Sequence, residues 1–309
     1  MKKGIGTIKL SKIKSANSIM GVKIVKFFKT ARNLWAAIFG LLSIFLTFVS
    51  WDNLEIFDTC LKLKILLGIL VIVALISCIR TLCSHSETVW KRSEAKVCVK
   101  YGDILQEAHR HKFWGGLPNE RLIVIPVNTH FDTIVEESSV PNPLVAAKTI
   151  HGKWLEQYMN DTQKSAAEIQ NDIFAFLDTK NVQYENVIRP KGSNRKYALG
   201  TCAILRGTNN ANFLLLAIAE FDDSNTAYTD KERVILSIHS LLDFINAQSQ
   251  GVECYIPLMG TGMSRAMLTH KAALHTILST FDLYKEKIIG ALNVVIFNGD
   301  KSKVSIFDR

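Results

Sequence analysis

The sequence lacks the motifs that would assign it to several large classes of protein. Its six cysteines include no CxxC pair and no spacing typical of a metal site, so we interpret them as reduced thiols. Neither the Walker pattern GxxxxGK[ST] nor the dinucleotide fingerprint GxGxxG occurs. Internal repeats and low-complexity tracts are missing, and only 21% of the residues are charged. A zinc-ribbon protein, a P-loop nucleotidase and a disordered chain are therefore excluded.

Acidic residues are missing from the first 32 positions, which carry nine lysine or arginine residues. Because the formal net charge is +9, the rest of the chain is balanced, and a basic nucleic-acid groove is not predicted. The length of 309 residues favours two structural units. A hydrophobic content of 48% is high for a purely soluble protein, which indicates that the excess is concentrated in a separate apolar segment.

Two apolar runs account for this excess. Residues 34–51 contain no charge and have a tryptophan at each end, and a helix of this length spans roughly 27 Å of hydrocarbon. Residues 61–79 form the second run if Lys62 and Lys64 extend toward the headgroups. Since lysine and arginine crowd the outer flanks and the connection is acidic, both flanks are predicted to be cytoplasmic. Residues 33–82 are therefore predicted to form a two-helix transmembrane hairpin.

Small residues recur along the first run at spacings of four and three: Ala36, Gly40, Ser43, Thr47 and Ser50. Such a stripe lets helix backbones approach closely in lipid. The neighbour is either the second span of the same chain or another copy, as in a homo-oligomer. Residues 1–32 are predicted to form a basic cytoplasmic or interfacial segment attracted to anionic lipid rather than to nucleic acid.

The second half alternates between apolar runs of strand length and periodic runs of helix length. We assign residues 83–94 to a linker and residues 95–309 to one cytoplasmic domain. The predicted strands are 97–101, 122–127, 198–205, 213–219, 252–258, 291–297 and 304–307, and the predicted helices are 151–159, 166–177, 231–247 and 265–281. This order predicts an α/β fold with a sheet covered on both faces.

Polar residues and glycines follow three of the predicted strands. They include Asp103 after the first strand, Asn128 after the second, and a Gly260-Thr261-Gly262 turn after the fifth. Ligands of open α/β sheets bind beyond the carboxyl ends of the strands, and a glycine turn before a helix can hold a diphosphate. Two interpretations stay open, because Asp103 and Asn128 can either satisfy their own turns or bind adenine and ribose. Phe131, near Asn128, is either a core residue or a stacking platform.

Five short segments combine into one larger pattern. They are VKYGDI (99–104), IPVNTHFDTIV (125–135), IHGKW (150–154), YALGTCA (197–203) and IPLMGTGMSR (256–265). Together they resemble the divergent macro domain of Thoeris anti-phage effectors, and two spans before such a domain resemble the membrane type. One departure is the segment 136–149, EESSVPNPLVAAKT, where typical macro domains carry a run of glycines.

The resemblance implies a macro-like domain with a mixed sheet between helices, and a sensor rather than an enzyme. Its ligand would be an ADP-ribose-type signal, histidine joined to ADP-ribose, which a partner TIR-domain enzyme makes from NAD during infection. No cofactor or metal is implied. Ligand binding would rearrange a multi-pass oligomer in the bacterial inner membrane, disrupt the membrane lipid and cause abortive cell death.

The resemblance also implies roles for particular residues. Adenine would lie at Asp103 and Ile104, and the distal ribose at Asn128, Phe131 and Asp132. The remaining residues of the implied site are the diphosphate turn Gly260, Thr261, Gly262, Met263, Ser264 and Arg265, and the cleft residues His151, Gly152, Gly200 and Thr201. The alternative is an ADP-ribosyl hydrolase in which Asp132 or His130 acts as the base. A passive protein-binding scaffold is a third hypothesis.

Overall fold

The computed structural model describes residues 3–48, 59–110, 119–137, 139–222, 226–248, 251–261 and 268–308. The chain divides into two compact units, residues 1–85 and 86–309. The helices of the described residues are α1 (Lys3–Phe48), α2 (Thr59–Leu82), α3 (Ile150–Thr162), α4 (Ala166–Thr179), α5 (Lys231–Gln248) and α6 (His270–Leu283). The second unit thus contains all the helices after α2.

The first unit consists of α1 and α2, neither of which contains an acidic residue. Within the described residues one segment, Lys64–Leu82 of α2, is long and apolar enough to cross a membrane, with a hydropathy of 2.7. The hydroxyls of Ser77 and Thr81 donate hydrogen bonds to carbonyls one turn earlier, so these polar groups are satisfied inside the helix. The predicted first span, residues 34–51, lies in α1 up to Phe48 and then leaves the described residues, so the hairpin stays a prediction.

The second unit is built on strands β1 (Ser86–Lys91), β2 (Ala95–Gly102), β3 (Arg121–Asn128), β4 (Val135–Glu136), β5 (Val145–Ala146), β6 (Tyr184–Asn186), β7 (Arg195–Tyr197), β8 (Cys202–Arg206), β9 (Ala211–Phe221), β10 (Ala227–Tyr228), β11 (Glu253–Pro257) and β12 (Gly290–Phe297). The main sheet has the order β1-β2-β12-β11-β3-β9-β10, and β8 also pairs with β9. The five central strands, β2 to β9 in this order, are parallel, whereas β1, β8 and β10 pair antiparallel. The predicted α/β fold with a mixed sheet is confirmed.

Helices cover both faces of this sheet. On one face Ile123, Ile125 and Val127 of β3 join Trp154 of α3 and Ile173 of α4 in a buried cluster. Leu122 and Val124, which alternate with them along β3, are equally buried, because α5 and α6 pack on the opposite side. Because both faces of the central strands are covered, the edge of the sheet where the strands end is left for binding.

Most predicted elements are confirmed, and several boundaries differ; the predicted helix 265–281, for example, begins only at His270. The predicted linker 83–94 contains β1, an edge strand that pairs with β2. The predicted strand 198–205 begins only at Cys202, because Gly200 adopts a positive φ of 81° and turns the chain. The run 304–307 forms a turn and not a strand, and its Ile306 amide donates a hydrogen bond to the Tyr101 hydroxyl. Its apolar side chains are nevertheless buried.

Arg121, the first residue of β3, anchors the loop that follows β2. Its side chain is 2% exposed, and its guanidinium donates to the carbonyl oxygens of Glu107 at 2.8 Å, Ala108 at 2.9 Å and Arg110 at 3.2 Å. These carbonyls belong to a 3-10 turn at Gln106–His109 and the residue after it. One buried cation therefore satisfies three carbonyls in the loop that begins with Asp103.

We expect Arg121→Lys to lower the free energy of unfolding by about 1–3 kcal/mol, because an ammonium cannot satisfy the three carbonyls at once. The measurement is urea unfolding of the full chain in detergent. Arg206→Lys, at the exposed end of β8, is the matched control and should change stability by less than about 0.5 kcal/mol. Equal stability of the two variants would contradict the anchoring role.

Candidate functional site

A cleft of about 720 Å³ lies at the carboxyl ends of the five parallel strands. Each of these strands contributes at least one lining residue at or just beyond its end: Ile104 after β2, Phe297 from β12, Met259 after β11, Asn128 from β3 and Phe221 from β9. This is the edge at which open α/β sheets bind ligands, and the volume is in the range of small-molecule sites. The predicted convergence of Asp103, Asn128 and the Gly260 turn on one cleft is observed.

Asp103 and Ile104 form one end of the cleft. Ile104 is buried, while Asp103 is half-buried and its Oδ1 accepts a hydrogen bond from the Leu105 amide at 3.0 Å. The carboxylate thus stabilises its own turn, and its second oxygen is available at the cleft for a donor on a ligand. Both alternatives drawn from the sequence, a turn residue and a ligand acceptor, fit this geometry.

Asn128 lines the middle of the cleft, but its side-chain amide is hydrogen-bonded within the protein. Its Oδ1 accepts hydrogen bonds from the amides of His130 at 3.0 Å and Asp132 at 3.3 Å, and its Nδ2 donates to the Leu144 carbonyl at 3.5 Å. The side chain is 6% exposed. The structure therefore favours the turn-holding interpretation of Asn128, and the residue shapes the cleft by positioning the loop after β3.

The glycine turn after β11 forms the part of the cleft next to Asn128. Gly260 and Thr261 line the cleft, and Gly260 has a φ of 82°, a conformation that side-chain-bearing residues rarely adopt. Met259 beside it is 1% exposed and fixes the turn to the core. The predicted site residues Gly262, Met263, Ser264 and Arg265 lie outside the described residues.

The segment 142–149 forms a wall of the cleft that the sequence did not predict. Six of its residues line the cleft in addition to Thr149: Asn142, Pro143, Leu144, Val145, Ala146 and Lys148. Thr149 caps α3 by accepting a hydrogen bond from the Gly152 amide at 3.0 Å. This wall lies where the resemblance implies a glycine run. The sequence signal for it is that residues 136–149 depart from the glycine-rich pattern of typical macro domains.

The wall and α3 are in direct backbone contact at Gly152. A Cβ at this position would overlap the carbonyl oxygen of Ala146 and stand 2.9 Å from the Cα of Ala147. Gly152 is therefore not a lining residue, contrary to the sequence-based role, but it allows the helix to begin at the cleft. The first turn of α3 then presents Ile150, His151 and Lys153 to the cleft near the positive end of the helix dipole.

His151, in the first turn of α3 beside this wall, is a neutral imidazole. Its side chain is 7% exposed, and its ring stacks against Trp154 with a centroid distance of 6.1 Å. Burial lowers the pKa of His151 to about 3, because a charged ring would lose its hydration there. The residue can donate or accept one hydrogen bond to a ligand at neutral pH but carries no charge.

Four other predicted site residues are placed away from the cleft lining. Phe131 is 1% exposed, has a φ of 52° and packs edge-on against Tyr197 at 5.5 Å, so it is a core residue of the turn. Gly200 approaches Ser240 of α5 so closely that a Cβ would stand 2.5 Å from its hydroxyl oxygen, and Thr201 follows it in the same turn. Asp132 is buried in an ion pair. These four residues stabilise the turns next to the cleft without lining it.

That ion pair ties a neighbouring loop to the cleft wall. Asp132 Oδ2 lies 3.0 Å from Arg189 Nη1, and its Oδ1 accepts from the Ser193 amide at 2.8 Å. Glu136 accepts from Lys191 at 2.7 Å and from the Leu144 amide at 2.6 Å, so the pKa of Glu136 is held below its usual value despite partial burial. The loop 189–193 therefore fixes Leu144, a lining residue, from the outside.

Charged groups are distributed unevenly around the cleft. Lys148 and Lys153 stand on the α3 side, where no lining residue of the described chain is acidic. On the β12 side Asp300 pairs with His270 at 3.3 Å and with Lys303 at 2.7 Å. The described residues contain no cluster of three or more histidine, cysteine, aspartate or glutamate side chains suited to a metal. The α3 side is thus the electropositive part of the cleft.

Comparison with known proteins agrees with this architecture. The sequence model of a family described as Thoeris protein ThsA, Macro domain, matches residues 97–297, which is more than half of the chain. The chain belongs to this Thoeris ThsA macro-domain family. The resemblance drawn from the five sequence segments is therefore confirmed for the domain.

A curated relative of the family extends the match toward the N-terminus. The chain is 24% identical over 269 residues to the Thoeris protein ThsA of Bacillus amyloliquefaciens (strain Y2), covering 84% of this chain and 82% of the relative. Among solved structures, the Oceanobacillus iheyensis macrodomain with ADP is 12% identical, with a TM-score of 0.45 over 72% of this chain and 94% of that chain. A mutant of the same macrodomain with ADPR is 11% identical, with a TM-score of 0.46 and the same coverage.

The buried His151 predicts a specific acid dependence of stability. Its folded pKa of about 3 lies below the ordinary value of 6.5, so the unfolded chain binds the proton more readily between these values. Stability is expected to fall as pH drops from 6.5 toward 3, by at most about 1.4 kcal/mol per pH unit from this group. His151→Gln should reduce that slope in urea unfolding at pH 7 to 5.

His239→Gln is the matched control, because His239 lies partly exposed on α5, where it contacts Asp243, Lys287 and the ring of Tyr284 outside the cleft. This control should keep the pH dependence of the unmodified chain. A slope that is unchanged by His151→Gln would show that the imidazole is not held neutral by burial.

Proposed function

We propose that the cleft binds an ADP-ribose-type nucleotide and that the protein is a sensor in anti-phage defence. The observation that carries the proposal is the convergence of five strand ends on one cleft with an acid at one end, a glycine turn in the middle and a basic helix start opposite. Membership in the Thoeris ThsA macro-domain family supports the same ligand class and the same role.

The adenine is proposed to bind at the Asp103 end. The carboxylate of Asp103 can accept a hydrogen bond from the exocyclic amine, while Ile104 and Leu105 offer an apolar surface to the ring. Val295 and Phe297 line the cleft from β12 and extend that surface. A flat base with one donor edge is the chemical group that this combination fits best.

The diphosphate is proposed to lie between the Gly260 turn and the start of α3. The positive φ of Gly260 brings the backbone close to the cleft without a Cβ. The first turn of α3 adds the positive end of its dipole, although its Gly152 amide is already bonded to Thr149. Lys148 and Lys153 add two cations on that side. The anion would thus be held by backbone amides and long side chains instead of a Walker lysine.

The distal group of the ligand is proposed to reach the wall formed by residues 142–149. Since this wall replaces a glycine run, it gives the chain a distal pocket of its own, bounded by Leu144, Val145 and the neutral ring of His151. A histidine joined to ADP-ribose is the group that we propose for this pocket. An imidazole can pack against the apolar wall and exchange a hydrogen bond with His151.

Sensing is favoured over hydrolysis by the placement of the candidate bases. Asp132 is engaged by Arg189 and the Ser193 amide, and His130 Nδ1 lies 3.0 Å from the Arg195 carbonyl. Burial and then the nearby Arg189 lower the pKa of His130. Neither residue lines the cleft, and His151, which does, has a pKa of about 3, far below the value of an efficient general base at neutral pH.

In the proposed role, ligand binding in the cleft changes the behaviour of the helical unit. A partner TIR-domain enzyme would make the signal from NAD during infection, and its binding would shift the assembly of the chains. The apolar segment Lys64–Leu82 supports a location in the bacterial inner membrane, with the two-span topology and cytoplasmic termini as the finer proposal. Rearranged spans would then disrupt the bilayer and cause abortive infection.

We predict that Asp103→Ala weakens binding of ADP-ribose and of its histidine conjugate by about 10- to 100-fold, because an acceptor for the adenine amine is lost. Titration calorimetry of the full chain in detergent measures this change. Asp172→Ala removes the same charge from α4, where Asp172 pairs only with Lys164 at the surface, and should leave the affinity within about twofold. Equal affinities for all three proteins would place the ligand elsewhere.

The effector role predicts ligand-dependent damage to a bilayer. Liposomes containing the full chain and a trapped dye should release the dye when histidine-ADP-ribose is added, and liposomes with the Asp103→Ala protein should need about 10-fold more ligand or more. Product turnover is followed in the same samples by chromatography. Leakage that is independent of ligand contradicts the effector role, and steady conversion of the ligand supports the hydrolase instead.

A further inference from the structure

The turn after β12 places a second carboxylate in the cleft, one strand away from Asp103. β12 ends at Phe297, which pairs with Gly102 at the end of β2, so the loops after these two strands begin side by side. A short 3-10 turn, Asn298–Asp300, follows β12, and Asp300 lines the cleft. The chain therefore carries an acid at the ends of two neighbouring strands.

The side chain of Asp300 is held in place through one of its two oxygens. Its Oδ1 accepts a hydrogen bond from Lys303 Nζ at 2.7 Å and lies 3.3 Å from His270 Nε2. The main-chain carbonyl of Asp300 accepts from the amides of Lys303 and Val304 at 2.9 and 3.1 Å, so the backbone of the turn is fixed as well. Among the described residues, none donates a hydrogen bond to Asp300 Oδ2, although the side chain is only 22% exposed. A half-buried carboxylate with one unpaired oxygen at a cleft favours a ligand that carries donors.

The order of the strands determines where Asp300 lies relative to the proposed ligand. β12 lies between β2 and β11 in the sheet, so its loop stands between the Asp103 turn and the Gly260 turn. His270 is the first residue of α6, in the segment that follows the Gly260 turn, and its contact with Asp300 joins that segment to the loop after β12. With adenine at Asp103 and the diphosphate at Gly260, the group that passes Asp300 is the ribose between them.

A free ribose and a phosphorylated ribose present opposite chemistry to Asp300. The 2′ and 3′ hydroxyls of a free ribose can both donate hydrogen bonds to a carboxylate. A 2′-phosphate removes one donor and brings a second anion next to the first, which costs binding energy through like-charge repulsion. Lys303 already pairs with Asp300, so this pair has no net positive charge with which to attract the phosphate.

We infer that Asp300 is a specificity residue that selects nucleotides with a free adenosine ribose and rejects those with a 2′-phosphate. An ADP-ribose derived from NADP carries this phosphate and is excluded, although the rest of the molecule is identical. The inference rests on the proposed binding of an ADP-ribose-type nucleotide and assigns the part of the ligand between adenine and diphosphate. Lys303 and His270 are positioning residues, because they act on the ligand through Asp300.

The test compares ADP-ribose with 2′-phospho-ADP-ribose by titration calorimetry of the full chain in detergent. We expect the unmodified chain to bind the phosphorylated nucleotide at least about 10-fold more weakly. Asp300→Asn keeps the shape of the side chain and an oxygen for Lys303 but removes the charge, so the ratio of the two affinities should fall to about threefold or less. The ratio is the readout because a variant that only perturbs the fold weakens both nucleotides alike.

A second variant shifts the ratio in the opposite direction. Lys303→Gln changes an exposed side chain and leaves Asp300 without its partner cation, so rejection of the phosphorylated nucleotide should become stronger than in the unmodified chain. Asp282→Asn is the matched control, because Asp282 lies exposed at the opposite end of α6 beside Lys285. This control should keep the ratio within about twofold.

Three results would each overturn the inference: equal affinity of the unmodified chain for the two nucleotides, tighter binding of the phosphorylated one, or a ratio that Asp300→Asn leaves unchanged. If the unmodified chain binds neither nucleotide, the proposed function fails and the inference falls with it. Binding of ADP-ribose without discrimination refutes the inference alone, so the two failures are distinguished in one experiment.

Discussion

Parallel pairing of five strands is the constraint on which the site depends. Parallel strands end at the same edge of a sheet, so the loops after β2, β12, β11, β3 and β9 must share one edge whatever their sequences. With α3 to α6 covering both faces, this edge is where short loops, free amides and a helix start meet. The cleft is thus a consequence of topology, and the side chains in it determine only which ligand fits.

A second layer of contacts keeps that edge in shape. Asn128, although it faces the cleft, is satisfied by the backbone of its own loop and of Leu144. Asp132 and Glu136 are held by Arg189 and Lys191 of a loop behind the wall. Truncating one partner of a buried pair such as Asp132 and Arg189 leaves an uncompensated charge, so the wall and its supporting loop are expected to be lost together.

The sequence predicted the strands and helices well because their apolar periodicity is strong. It located Asp103, Ile104, Asn128, His151, Gly260 and Thr261 at the cleft through strand ends and through the family resemblance. It misplaced Phe131 and Asp132, which follow Asn128 closely but turn into the core, because a positive φ at Phe131 reverses the chain. Such a turn has no signature when the residue is not glycine.

The wall at residues 142–149 is a second feature that the local sequence pattern did not predict. EESSVPNPLVAAKT has no motif, and its shape depends on a contact from a distant loop: Lys191, 55 positions away, holds Glu136, which in turn fixes Leu144. Interactions that join residues tens of positions apart cannot be read from local periodicity. The resemblance marked this segment as a departure, but the departure did not reveal what replaces the glycine run.

The chemistry of the cleft limits how strongly and how selectively a ligand of the proposed class could shift the protein between two states. A ligand shifts an equilibrium between two states only by the difference between its affinities for them, typically about 1–3 kcal/mol per site. In the proposed complex the distal group would meet Leu144, Val145 and His151, and these residues would distinguish signals by that group. Because His151 stays neutral, this recognition depends on shape and one hydrogen bond and not on charge. In the proposed complex, Leu144, Val145 and the neutral His151 would therefore provide selectivity for the distal group, while Lys148, Lys153 and the start of α3 would supply general affinity for the diphosphate.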